Sequence, residues 1–216
     1  MVLQPQFLNK IGARTLVLVV VFLFNKAQIL LCALLFLFFF PFFLLASDAV
    51  FQETIYYSKK EAIDALFPSA STIDTQLIRL STANHQLAER KLGIRFQQDM
   101  VDISFAYHEQ ELLGYALVLD ELGKHYPITF MVGLTPELTV HEIVVMIYRE
   151  PWGDKVRKKR FLRQFKDKTI AEPFIVDQDV DGLTGATLSS WAISLGVKKA
   201  LILATLITDE SREEKN

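Results

Sequence analysis

The segment best suited to chemistry is Asp181-Gly-Leu-Thr-Gly-Ala-Thr-Leu-Ser-Ser190. Gly182 and Gly185 allow backbone conformations closed to other residues, and close approach of a ligand. Thr187, Ser189 and Ser190 place hydroxyls at or just inside the start of a long apolar stretch that reads as a helix. Free amide groups and the helix dipole at such a start favour an anion such as phosphate. The segment is therefore suited to hold a phosphate against a threonine hydroxyl. A plain capped helix behind a glycine turn would use the same residues, and local chemistry alone leaves both readings open.

The elements that must position this turn are short strands followed by helices. Val101 to Tyr107, Gly114 to Leu119, Ile128 to Leu134 and Glu142 to Tyr148 are β-branched or aromatic runs separated by turn residues, as in an antiparallel meander. Val140-His-Glu-Ile-Val-Val-Met-Ile-Tyr148 is apolar on both faces and reads as a central strand. Thr135-Pro-Glu-Leu138 reads as the hairpin connection before it. Arg149-Glu-Pro-Trp-Gly153 reads as a loop, because Pro151 and Gly153 oppose continuation of the strand. Lys155 to Phe165 comes next as a basic amphipathic helix with Val156, Phe161, Leu162 and Phe165 inward. The last helix is expected from Thr187 to about Ile207. Upstream, Ser58 and Glu61 make a capping-box pattern for a helix ending before Pro68, while Thr75 to Ala88 is ambiguous. The fold class is α+β: an antiparallel sheet flanked by helices, with an N-terminal hydrophobic signal or anchor helix.

Composition sets the setting. Hydrophobic residues make up 51% of the 216, and the excess is concentrated between Thr15 and Ala46. Lys10, Arg14 and Lys26 are the only charges before Asp48, and that asymmetry directs the rest of the chain across a membrane. The stretch reads as a signal peptide cut near Ala46 or Ala49, or as an uncleaved anchor. Cys32 lies inside it, and Leu31 before that cysteine disfavours lipid modification; the remainder of the chain has no thiol. Beyond residue 46 there are 20 bases against 25 acids, a poor balance for binding nucleic acid. The run from Lys155 to Arg160 is the basic exception, read as a solvated helix face. The expected organisation is a signal or anchor over 1–46, a helical extension over 47–100, the main domain over 101–208 and a polar tail over 209–216.

Asp181-x-x-Thr184-Gly185-Ala186-Thr187 resembles the D-x-x-(S/T)-G-A-T signature of the FMN-binding domain family. That family includes the C subunit of the sodium-translocating NADH:quinone reductase and the G subunit of the Rnf complex. The resemblance implies that a flavin transferase moves FMN from FAD onto Thr187 as a phosphoester, with Asp181, Thr184, Gly185 and Ala186 read by that enzyme or shaping the turn. Gly123-Lys-His-Tyr-Pro-Ile-Thr129 and Tyr148-Arg-Glu-Pro-Trp-Gly-Asp-Lys-Val156 look like stretches of small exported members, and Phe161-Leu-Arg-Gln-Phe165 looks like their helix before the flavin turn. One departure is that the large-complex subunits carry E-T-P-G-L-G where this chain has Glu150-Pro-Trp-Gly153. The implied function is an exported or membrane-anchored, periplasm-facing flavoprotein that relays electrons to and from membrane or periplasmic redox proteins. A non-redox assembly or sensor module with the same fold is the alternative.

Around that core, Trp152 beside Gly153 could stack on the isoalloxazine ring or anchor the loop. Glu150 could order the loop, touch the flavin or sit on the surface, and Tyr148 reads as sheet core. His85, His108, His125 and His141 have no metal-ligand spacing, and no catalytic triad or haem-attachment motif is present.

Overall fold

The computed structural model describes residues 53–213 apart from 97 and 152, together with residue 28. The N-terminal apolar stretch, with its signal or anchor reading and Cys32, lies outside the described residues, as does Trp152. All described residues other than Gln28 fall in the compact unit Phe51–Asn216.

The unit is built on a six-stranded antiparallel sheet. Its strands are β1 (Thr54–Ile55), β2 (Thr72–Arg79), β3 (Met100–His108), β4 (Glu111–Leu122), β5 (Pro127–Leu134) and β6 (Val140–Tyr148). Their order is β1-β6-β5-β4-β3-β2. Helices α1 (Lys59–Leu66), α2 (Thr82–Leu92), α3 (Lys159–Leu162) and α4 (Thr187–Glu213) complete it. Alternation along the strands divides the apolar residues between two faces. Ile128, Phe130, Val132 and Leu134 point with Leu117, Leu119 and Val145 toward α4, while Met131 joins Ala116, Val144 and Met146 under α1.

Helix α1 starts as its sequence demands. Ser58 accepts from the Glu61 amide, and Glu61 returns a carboxylate to the Ser58 amide. Such a cap stabilises a helix start by about 1 kcal/mol. Helix α4 lies flat on the sheet through a stripe of small residues at four-residue spacing: Ala192, Gly196, Ala200 and Ala204. At Gly196 a side chain has no room, since an added Cβ would stand 2.3 Å from Phe130 Cζ. Lys199 Nζ reaches Glu121 Oε1 at 3.0 Å and ties α4 to β4. Burial pushes the Glu121 carboxyl up, and the neighbouring Lys199 pulls it back only in part. By length and composition α4 could cross a membrane, yet most of it is buried against this sheet.

The structure revises four sequence expectations. The stretch read as a helical extension holds α1 and α2 but also β1 and β2, the two edge strands. The ambiguous segment from Thr75 divides into β2 and α2, because Ser81 caps a new helix at the Asn84 amide. β6 is not central: β1 covers only Tyr148 and Ile147, and its double-sided apolar character comes from the layers above and below. The basic segment is not one helix. Lys158 is extended (φ −68°, ψ 134°) and separates a 3-10 turn at Asp154–Arg157 from α3, and a second 3-10 turn comes after it at Arg163–Phe165. The inward residues Val156, Phe161, Leu162 and Phe165 are nevertheless all buried.

Candidate functional site

The site begins at the turn that delivers the chain into α4. The Ala186 amide donates to Leu183 O at 2.8 Å, closing a four-residue turn with Gly185 third. Gly185 has φ +80°, and an added Cβ would meet nothing within 4 Å, so glycine is favoured there by conformation alone. Gly182 is required for the opposite reason: a Cβ there would stand 2.8 Å from Val176 Cγ1. Two side chains pin the turn. Ser190 Oγ, fully buried, accepts from the Leu183 amide and donates to Ala186 O. Gln164 clamps the Asp181 backbone, accepting from its amide at 2.7 Å and donating to its carbonyl at 3.3 Å.

A second wall comes from the loop after β6. Glu150 Oε1 accepts from the backbone amides of His125 (2.6 Å) and Tyr126 (3.2 Å), fastening this loop to the β4–β5 connection. Gly123 lets the carboxylate in, since a Cβ there would lie 2.8 Å from that oxygen. Arg149 braces the same loop from its Nη1 to Pro127 O and Thr129 Oγ1. Gly153, at φ +99°, packs against the start of α4: a Cβ would approach Tyr148 Oη at 2.5 Å and Ser189 Oγ at 3.1 Å. Tyr148 is buried, and its hydroxyl shares a 3.1 Å hydrogen bond with Ser189 Oγ. Burial raises the phenol above its ordinary value, outweighing the Ser189 bond, so it stays neutral near pH 7.

Between these walls opens a cavity of about 500 Å³, lined by the β4–β5 connection (Lys124, His125), by Glu150 and Pro151, and by Gly185 through Ser189. Its size is that of a small-molecule or cofactor site. Thr187 is exposed at its rim, in the first turn of α4. The Ser190 amide donates back to Ala186 O at 2.9 Å. The amides of the first turn before it have no intrahelical acceptor and carry the positive end of the dipole. Lys124 adds a cation. Together these suit a phosphate at Thr187, while the apolar surfaces of Pro151 and Leu188 suit the face of a flat ring. The residues present therefore fit FMN.

The structure gathers Thr187, Gly185, Ala186 and Glu150 on this one cavity. Gly153 stands behind it against Ser189 and Tyr148. Thr184 is exposed in the turn itself. Asp181 is not at the cavity; it lines a separate hollow of about 350 Å³ with Gly182, Leu183 and the cations Lys155, Lys158 and Arg160. Of the readings of Glu150, the geometry shows the loop-ordering one. Trp152 lies outside the described residues. Three contributors were missed by motif reading: His125 and Lys124 line the cavity, and Gln164 clamps the turn. Their only sequence signal was that each sits in a stretch resembling the family.

Residues 123–202 match the FMN-binding domain family. Every residue lining the cavity falls within that segment. The chain is 28% identical over 103 residues to the G subunit of the proton-translocating ferredoxin:NAD(+) oxidoreductase complex of Clostridium ljungdahlii. That alignment takes in 44% of this chain and 56% of the relative, so the chain spans little more than half the length of the relative. Among solved structures, the crystal structure of Shewanella oneidensis NqrC superposes with a TM-score of 0.45 at 16% identity, covering 66% of this chain and 82% of the other.

Proposed function

From the FMN-binding domain that residues 123–202 match, we propose that this chain is an exported or membrane-anchored flavoprotein carrying FMN as a phosphoester on Thr187 and relaying electrons at the outer face of a bacterial membrane. The observation that carries the reading is the coincidence of three things at one rim: an exposed threonine hydroxyl, the first turn of a long helix, and a cofactor-sized cavity. FMN supplies the redox chemistry when bound, since it accepts and returns electrons singly or in pairs.

The chain's own residues bind and orient. Thr187 is a tether. Gly185 holds the turn open beside it, with Ser190 and Gln164 fixing the turn from beneath. Glu150 fixes the far wall through the His125 and Tyr126 amides. In the attachment reaction, which a separate flavin transferase would perform on FAD, an oxygen–phosphorus bond forms at Thr187 Oγ1. The pyrophosphate bond breaks, AMP leaves and the hydroxyl proton is lost. A tether is useful outside the cytoplasm, where a free cofactor would be lost by diffusion.

The test is the intact mass of the full chain made in cells with and without a flavin transferase. The expected result is a gain of one FMN minus water, localised to the Thr187 peptide and absent in Thr187→Val. Flavin retained covalently by that variant would refute the tether. No gain, with the transferase active on another acceptor, would favour the non-redox module.

A further inference from the structure

We propose that the basic face of residues 155–166 is a docking site for anionic phospholipid headgroups, which holds this domain against a membrane surface. Burial of Val156, Phe161, Leu162 and Phe165 turns the seven Lys and Arg side chains of this stretch outward, and all seven are exposed. Among the described residues only Arg157 has a carboxylate partner, Asp154 at 3.4 Å. Residues 154–168 carry eight bases against two acids, in a chain whose balance beyond residue 46 is 20 bases to 25 acids. The charge is therefore strongly polarised, which steers the molecule toward an anionic surface.

The patch has a built receptacle. A cavity of about 380 Å³ lies between α1, the open edge of β6 and the basic segment. Ala65, Ile143, Val144 and Leu162 give it apolar walls; Arg157, Lys159, Arg163 and Lys166 ring it with charge. Glu142 is the one carboxylate in its lining. A lining that combines four cations with apolar side chains matches a phosphate headgroup together with its glycerol ester. Tyr57 in the same lining is 40% exposed, and tyrosine suits the interface between lipid and water.

Chain connectivity selects a membrane as the occupant over an acidic protein. Tyr57 lines this cavity, and the Tyr56 ring lies under Arg157, 4.7 Å from its guanidinium. These residues come directly after β1, where the chain enters the fold from the apolar stretch that ends at Ala46. Residues 47–53 reach about 24 Å when fully extended. Were the stretch embedded in a bilayer, the headgroups would be within that reach of β1. Were it cleaved, the basic face would be the remaining attachment. Headgroup binding rests on the proposed export only for which leaflet it meets, and not on the flavin.

The test is lysine acylation, read residue by residue by mass spectrometry, on the full chain in vesicles of phosphatidylcholine alone and of phosphatidylcholine with phosphatidylglycerol. Lys159 and Lys166 should label several-fold more slowly in the anionic vesicles, an effect that high salt removes, while Lys91 is unchanged. In Lys159→Glu/Arg163→Glu/Lys166→Glu the protection of Lys155 and Lys158 should vanish. Equal labelling in both vesicles, protection that persists in the triple variant, or the same protection from inorganic phosphate without vesicles would each overturn the proposal. Flotation with uncharged vesicles reports the apolar stretch separately, and intact mass reports the flavin, so failure of either reading is distinguishable from failure of this one.

Discussion

Gly185→Ala isolates the backbone contribution to the turn that presents Thr187. The added Cβ meets nothing within 4 Å, so no steric clash contributes. What remains is the left-handed conformation at φ +80°, which costs an L-residue with a Cβ about 1–2 kcal/mol. Alanine also restricts the unfolded chain, which returns about 0.4–1 kcal/mol. The net loss is about 1 kcal/mol, or about 2–4 °C in Tm for a domain of this size. Gly185→Asn should lose less, because asparagine tolerates the left-handed region. Gly182→Ala should lose more and by another route, since its Cβ would press on Val176 Cγ1 at 2.8 Å and Asp177 Oδ1 at 3.0 Å. Thermal unfolding of the full chain in detergent, measured by circular dichroism, orders the three variants. Gly185→Ala melting with the parent, or Gly185→Asn falling as far as Gly185→Ala, would refute the conformational account of this glycine.

The same geometry makes further variants informative. Glu150→Ala removes the acceptor of two backbone amides and should cost about 1–2 kcal/mol, read as faster hydrogen exchange at His125 and Tyr126 and not across β3. Gly196→Ala forces a Cβ to 2.3 Å from Phe130 Cζ and should destabilise by about 1–3 kcal/mol, measured by urea denaturation. Burial pushes the Asp179 carboxyl up, but Lys168 and the Ile175 and Phe174 amides outweigh it and hold the group below its ordinary 3.8. The folded value is depressed, so the stabilisation is complete above pH 3.8 and is lost as pH falls through the lower folded value. Asp179→Asn should flatten that acid limb of the stability curve.

The sheet was legible because its strands are half-buried or doubly buried runs bounded by turn residues, and four of them fall within three residues of the expected bounds. Strand β2 was not, because Thr72–Arg79 is largely exposed at a sheet edge and carries little apolar alternation. The position of β6 was misread because periodicity reports burial and not which strands lie alongside. The break at Lys158 had no local signal, since neither glycine nor proline marks it. At the site, Thr187, Gly185 and Ala186 were legible from a contiguous motif. Gln164 and His125 act on segments 17 or more residues away, and such contacts exist only once the sheet has formed.

The arrangement also bears on what kind of flavoprotein this would be. Thr187, the proposed tether, stands on α4, a long helix whose inner face is part of the core, so one end of a bound cofactor would be fixed to a packed element. The opposite wall is a β-hairpin connection and a post-strand loop, joined through the Glu150 carboxylate and braced by Arg149. Lys124, His125 and Leu188, which line the cavity, are all exposed, as is Trp191 one turn further along α4. A reductase acting on its own small substrate would be served by an enclosed pocket that excludes water around a second ligand. A relay instead needs its cofactor held firmly at one end and accessible to another protein at the other. A tether at Thr187, as proposed, beside this exposed rim would serve a relay. A variant such as Trp191→Glu, on the exposed face of α4 outside the cavity lining, should then slow electron exchange with a partner protein while leaving flavin attachment intact, and stopped-flow bleaching of the flavin would show it; equal rates would argue that partners approach from another side.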